Sequence, residues 1–290
     1  MRWSGRQGSD NVEDRRGSGR RGGVGLPLGG GIGGIVLLLI VSALTGTNPL
    51  ELIGGLGGPG GGGFADGGFQ GDGGSTPPAD DPQSEFIRVV LRDTEETFGE
   101  IFRQRGGTYQ EPTLVLFSDA TESACGLGQA AMGPFYCPGD RKVYIDLSFF
   151  RELDERFGAP GDFAQAYVLA HEVGHHIQTL TGLSERVSAA RQRSGEREAN
   201  ALSVRQELQA DCYAGVWGSF AAQRNLLEPG DVDEGLRAAA AIGDDRLQRQ
   251  SQGRVAPESF THGSSEQRVT WLKRGLETGQ LEACDTFAGR

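Results

Sequence analysis

Leu169–Gln178 reads LAHEVGHHIQ, and three of the chain's four histidines fall inside it. On a helix with 3.6 residues per turn, His171 and His175 stand four positions apart and project from one face, so two imidazoles can reach one metal ion. Glu172, the next residue, lies at the flank of that face. There its carboxylate approaches the water that a metal activates rather than the metal itself. This is the H-E-x-x-H arrangement of zincins, with His171 and His175 as zinc ligands and Glu172 as general base. The bland alternative, histidines that cap or pack a core helix, leaves the concentration of so scarce a residue without a cause.

The third ligand separates the zincin classes. The metzincin form places Gly three residues and His six residues after the second ligand. Gln178 and Thr181 stand there, which excludes it. The other common solution takes a glutamate from a second helix. Of Glu185, Glu196, Glu198 and Glu207, the last is preferred because Asp211 follows it by one turn in ELQADCYAGVW, so the two acids share a face. A ligating histidine usually donates its other ring N–H to a carboxylate, and Asp211 is the expected acceptor. His176, four residues after Glu172, is a candidate support for that carboxylate; a structural hydrogen bond is the competing reading.

Working outward, residues 84–290 have globular composition and helix-rich patterning. Apolar spacing predicts a helix over Phe86–Arg103, TLVLF is a short strand, and Lys142–Phe149 alternates as a second strand. Asp162 is a candidate N-cap for the helix through Gln178, with Gly182 closing it. Further helices are expected over Glu196–Gln223, Val232–Gln250 and Ser265–Glu277. The class is α+β, a helix-rich domain with a small sheet, and Val143–Leu147 is the expected edge strand for an extended substrate.

Upstream, Val24–Leu44 is an uncharged run of 21 residues, the length of one transmembrane helix. A cleaved signal peptide is the competing reading of its IVLLLIV core. Residues 45–83 form a linker, with 13 glycines in the 21 residues from Gly54 to Gly74, which cannot fold alone. Residues 1–23 carry six arginines against three acids, so positive-inside places them in the cytoplasm and the domain outside the cell membrane. The chain's net charge of −11 leaves the part beyond residue 23 more acidic still, which argues against nucleic-acid binding. All four cysteines lie in that part, consistent with two disulfides in an oxidising compartment. Three pairings are open. Cys125 with Cys137 is favoured, since GPFYC and KVYIDL flank a PGD turn, and Cys212 with Cys284 then follows.

RWSGRQGSDNVEDRRG, the apolar run, GPFYCPGDRKVYIDLSFF, AHEVGHHIQ, ELQADCYAGVW, IGDDRLQ and THGSSEQRVTWLKRG together resemble the bacterial neutral zinc metallopeptidase family over nearly the whole chain. The resemblance implies a membrane-anchored, extracytoplasmic zincin of the gluzincin kind that binds Zn2+, acts on peptide or protein substrates, and takes its third ligand from the Glu-x-x-x-Asp helix. Membrane-associated gluzincins similar to it carry a His and an Arg beyond the Glu helix that polarise the scissile carbonyl. His262 and Arg268 match in type and order, with Gly263 where a Pro is usual. Asp244 and Asp245 are expected to form salt bridges with arginines. The implied activity is zinc-assisted peptide hydrolysis. The alternative from another class is a zinc-containing scaffold at the cell surface, which has no use for Glu172.

Overall fold

The computed structural model describes residues 1–17 and 81–288. The chain divides into two units, Met1–Arg15 with Pro77–Arg290, and Arg16–Thr76. The expected transmembrane helix at 24–44, and the linker up to residue 80, lie outside the described residues. Among the described residues no helix is long and apolar enough to cross a membrane.

The first unit is a helix-rich α+β domain. Its sheet has the order β1-β2-β6-β5, from β1 (Val12–Asp14), β2 (Thr113–Phe117), β5 (Phe135–Cys137) and β6 (Lys142–Asp146). β1, β2 and β6 are parallel and β5 runs antiparallel at the edge. β2 is sandwiched on both faces, with Leu114, Val115, Leu116 and Phe117 all buried, which is why it reads as an unbroken apolar run. A separate hairpin, β3 (Ala120–Ser123) with β4 (Gly126–Gln129), precedes β5.

Two expectations need correction at the sheet. Residues 1–15 are part of the domain rather than a separate cytoplasmic piece. Val12, Glu13 and Asp14 pair with Leu114, Val115 and Leu116. Ser9 and Asn11 donate to the buried Glu95 at 2.6 and 2.9 Å, and Trp3 packs edge-on against Phe86. Strands that share backbone hydrogen bonds lie on one side of a bilayer, so this fold does not accommodate a single net crossing between residue 15 and the domain. The segment Val143–Leu147 is not an edge either. β6 lies between β2 and β5, and its pattern ends at Asp146, whose Oδ1 accepts from the backbone of Ser148 and starts α2 (Ser148–Glu155).

The helices follow the patterning closely where it is strong. α1 (Pro82–Gln104) begins on Asp81, whose side chain accepts from the Gln83 and Ser84 amides, with Pro82 in the first turn. α3 (Asp162–Leu180) is the central helix, packed on α1, on α5 (Glu196–Gln223) and on α6 (Asp231–Ala241). Gly161, not Asp162, is its N-cap. Asp162 instead receives the buried Met1 ammonium at 2.7 Å. A short α4 (Leu183–Arg191) joins α3 to α5. The single helix expected over Val232–Gln250 is two, α6 and α7 (Asp244–Gln252), because Gly243 is extended (ψ 142°) and a Cβ there would sit 2.4 Å from the Ser265 amide. α8 (Ser265–Thr278) opens with a capping box between Ser264 and Gln267.

α8 crosses α5 at a glycine pair. A Cβ on Gly275 would meet the Cys212 carbonyl oxygen at 2.0 Å, and one on Gly215 the Leu272 carbonyl oxygen at 2.1 Å. The backbones therefore touch, as no larger residues would allow. Both disulfides are as favoured, Cys125–Cys137 and Cys212–Cys284. The first ties the β3–β4 hairpin to β5, the second ties the chain's end to α5.

Candidate metal centre

The geometry is built by α3 and α5. Gly174 lies in the turn between His171 and His175, and a Cβ at that position would stand 2.9 Å from the Cα and carbonyl oxygen of Ala210. The missing side chain lets α5 come close enough for Glu207 to face both histidines. Glu207 Oε2 is 3.1 Å from His171 Nε2, and its Oε1 is 3.5 Å from His175 Nε2. The ligand atoms of His171, His175 and Glu207 all lie within 4.8 Å of one another. Two imidazole nitrogens and a carboxylate oxygen at this spacing suit Zn2+, which takes N and O donors in a tetrahedral set with one position left open.

Each histidine is turned to present Nε2 by a bond at its other nitrogen. His171 Nδ1 lies 2.8 Å from Asp211 Oδ1, as the helical spacing of Glu207 and Asp211 predicts. His175 Nδ1 lies 2.9 Å from Gln178 Oε1, and the Gln178 amide is in turn fixed by the Gln206 carbonyl at 2.7 Å. A neutral imidazole so held carries its proton on Nδ1 and a lone pair on Nε2.

Asp211 is the hub behind the ligands. It is fully buried and accepts from Tyr167 Oη at 2.6 Å, and from Arg268 Nε and Nη2, both at 2.9 Å. Burial would raise its pKa, but the Arg268 guanidinium and His171 hold it down at about 2. Burial lowers the pKa of His171, and the Asp211 and Glu207 groups override that and carry it up to about 10 without metal. Glu207 is held well below the usual carboxylate range, the two histidines outweighing its burial.

The remaining sequence candidates divide. Glu172 is buried beside the ligands and lines the same cavity, of about 480 Å3. Among the described residues no side chain or backbone group bonds its carboxylate. His262 also lines the cavity, with its side chain 54 % exposed and Nδ1 3.3 Å from Asp244 Oδ1. The other oxygen of Asp244 accepts from the amides of Thr261, His262 and Gly263 at 2.7–3.0 Å, so one carboxylate fixes both the loop and the ring. Among the described residues Asp244 therefore does not pair with an arginine, nor does Asp245, which accepts from the amide and hydroxyl of Ser265. Arg268 is only 3 % exposed and spends its fork on Asp211 and Tyr167, so it is not aimed at a substrate carbonyl. His176 does not support Glu172. It faces away, with Nε2 2.6 Å from the Gln110 carbonyl and Nδ1 3.1 Å from Tyr136 Oη, and burial drops its pKa to about 4. As a neutral ring it pins the edge strand β5 to α3.

Tyr167, Gln178, Gly174 and Asp244 are the contributors that sequence reasoning passed over. Tyr167 is four residues before His171 and Gln178 three after His175, so helical spacing alone would have put both beside a ligand. No local signal points from Asp244 to His262. A second acidic group, Asp162, Asp231 and Glu234, lies within 4.8 Å of itself. The Met1 ammonium binds two of its members, Asp162 and Asp231, together with Glu228.

The chain matches the family described as "Putative neutral zinc metallopeptidase" over residues 1–287, the N-terminal strand included. It is 50 % identical over 290 residues to "Uncharacterized protein YpfJ" of Escherichia coli strain K12, covering 99 % of both chains. It is 40 % identical over 216 residues to "Uncharacterized protein Rv2575" of Mycobacterium tuberculosis strain H37Rv, covering 71 % of this chain and 72 % of that one. No solved structure matches.

Proposed function

The chain belongs to this zinc metallopeptidase family, and from that premise we propose that it is a zinc-dependent peptidase of the gluzincin kind on a zincin-like fold, with His171, His175 and Glu207 as ligands and Glu172 as general base. The observation that carries the reading is the convergence of three ligand atoms beside a carboxylate that no group among the described residues engages. A zinc scaffold gains nothing from holding an acid beside the ligands in the cleft. Zinc in this site would supply Lewis acidity toward a peptide carbonyl and its attacking water.

The other tasks fall to the chain itself. Among the described residues β5 is an edge strand, and it lines the cavity through Phe135 and Tyr136, so it takes the role expected of Val143–Leu147 and pairs with an extended peptide. Glu172 removes a proton from the attacking water and passes it to the leaving amine. His262, oriented by Asp244, donates from Nε2 to the carbonyl oxygen as negative charge develops there. Arg268 is a positioning residue, since it acts on His171 through Asp211.

The disulfides favour an oxidising compartment, and attachment of the exported domain to the membrane at residues 24–44, without a net crossing, is part of the proposal. The paired β1 adds a condition, that residues 1–15 are exported with the domain. Thiol labelling of a cysteine placed at Ser4 and of one placed at Ser251 should report the same side. Labelling from opposite sides would mean that β1 is undocked in the membrane.

The decisive experiment is digestion of an unfolded protein mixture by the full chain, since residues 1–15 belong to the domain. Zinc-loaded protein should cleave, and chelation should stop it. Glu172→Gln should lower the rate by about 10²–10⁴ at unchanged zinc content. Cleavage by Glu172→Gln at the parent rate would refute the mechanism.

A further inference from the structure

The lining of the cavity is chemically divided. On the side of β5 and α2 it is apolar, with Phe135, Phe149 and Met132, the last 60 % exposed although it is a large hydrophobic residue. On the side of α4 and α5 it is polar, with Ser184, Ser188, Gln206 and Arg191. Among the described residues two arginines line this cavity, Arg268 and Arg191. Arg268 is neutralised by the bidentate bond to Asp211. Arg191 is exposed at the last position of α4, and among the described residues it has neither an ion pair nor a side-chain hydrogen bond. Arg92, Arg105, Arg156 and Arg224 each meet a carboxylate; Arg193, Arg197, Arg237 and Arg249 share with Arg191 the lack of one among the described residues, and what distinguishes Arg191 is that it lines the metal cavity. In a chain of net charge −11, an arginine left unpaired in the metal cleft is a cation without a counter-charge.

We propose that Arg191 binds a carboxylate of the substrate, so that the cleft takes peptides carrying an apolar side chain on the Met132–Phe149 side and a carboxylate on the α4 side. This rests on the peptidase reading and deepens it to a substrate class. A guanidinium matches a carboxylate with two parallel N–H donors, and Ser188, one turn before Arg191 on α4, can add a hydroxyl donor. The carboxylate has two sources, an Asp or Glu side chain within the peptide or its C-terminal carboxyl group. The first makes an endopeptidase with acidic preference, the second an enzyme that works from the C-terminus.

Binding separates the proposal from the chemistry. The full-length Glu172→Gln protein, loaded with zinc, is titrated with fluorescent peptides of one apolar-rich sequence in which a single position is Glu, Gln or Lys, each with a free and an amidated C-terminus. The Glu or the free-carboxyl peptide should bind roughly two- to fivefold more tightly than its neutral match, the range of an exposed ion pair, and the difference should shrink as salt is raised. Arg191→Ala should erase the preference, and Arg191→Glu should turn it toward Lys, both at unchanged zinc content. A preference that survives Arg191→Ala, or none in the parent, overturns the assignment of Arg191 while leaving the peptidase reading to the cleavage assay. Binding to none of the peptides overturns the assignment as well, and if the parent with intact Glu172 also fails to cleave, the peptidase reading falls with it.

Discussion

Replacing Arg268 tests whether the residue acts on the substrate or on the frame of the site. Its Nε and Nη2 each bond Asp211 at 2.9 Å, Nη2 also reaches Tyr167 Oη at 3.1 Å, and the two charged side chains are 4 % and 0 % exposed. Arg268→Leu leaves the Asp211 carboxylate buried beside a phenol and an imidazole with no cation of fixed charge. Breaking a buried pair by removing one partner costs up to about 3–5 kcal/mol when the other charge is left uncompensated, and the His171 imidazolium that stays 2.8 Å from Asp211 in the metal-free protein offsets part of it. For a folded unit of about 200 residues each kcal/mol moves the midpoint by about 2–4 °C, so the loss is up to about 6–20 °C. The assay is thermal unfolding of the metal-free full chain followed by circular dichroism, which removes zinc binding from the comparison. Asp211→Asn with Arg268→Leu should be less destabilised than the two single losses summed, since the orphaned charge is gone. Arg268→Lys should recover part of the stability only, an ammonium being unable to bond both oxygens in one plane. An Arg268→Leu midpoint within about 2 °C of the parent, whatever its activity, would refute the account of Arg268 as a buried counter-ion.

Three further outcomes follow from the site. Gln178→Ala frees His175 Nδ1 and should weaken zinc binding by about 10–100-fold with Glu207 intact, read by competition with a chromogenic chelator. Zinc uptake should release protons: His171 is raised to about 10 in the empty site, so below that value it is protonated and must lose the proton to ligate. Affinity should therefore climb about tenfold per pH unit from pH 7 to 9 for this one proton, and calorimetry in buffers of different ionisation heat should count it; a pH-independent affinity would contradict the raised value. Gly174→Ala puts a methyl group 2.9 Å from the Ala210 backbone and should part α3 from α5. We expect zinc affinity to fall more steeply than stability, measured on the same preparation by chelator competition and unfolding, because Glu207 moves with α5 while the core beyond it can relax.

The sequence by itself determined what is local or periodic. H-E-x-x-H places two imidazoles on one helical face whatever surrounds the helix, and the same spacing sets Asp211 beside Glu207, so these four were candidates from spacing; that Glu207 faces the histidines took the packing of α5 on α3. TLVLF announced a short strand, and the flanks of Cys125 and Cys137 favoured their bridge. Tertiary structure decided the relations between elements. β1 is three residues long and lies 99 residues before β2, so no pattern within it could tell that Met1–Arg15 completes the sheet and bars a single crossing. Val143–Leu147 alternates like an edge strand, yet β5 covers it, because sheet order depends on which strands pair and not on the composition of one. Arg268 and His262 match a functional pair in order and type. Only the close crossing of α8 and α5 at Gly275 and Gly215 sends Arg268 beneath His171, and only the break at Gly243 frees Asp244 to hold His262 at the cleft. Charge, periodicity and spacing are written along the chain, whereas the approach of two backbones is fixed by side chains that are absent, at glycines whose meaning appears only when their neighbours are known.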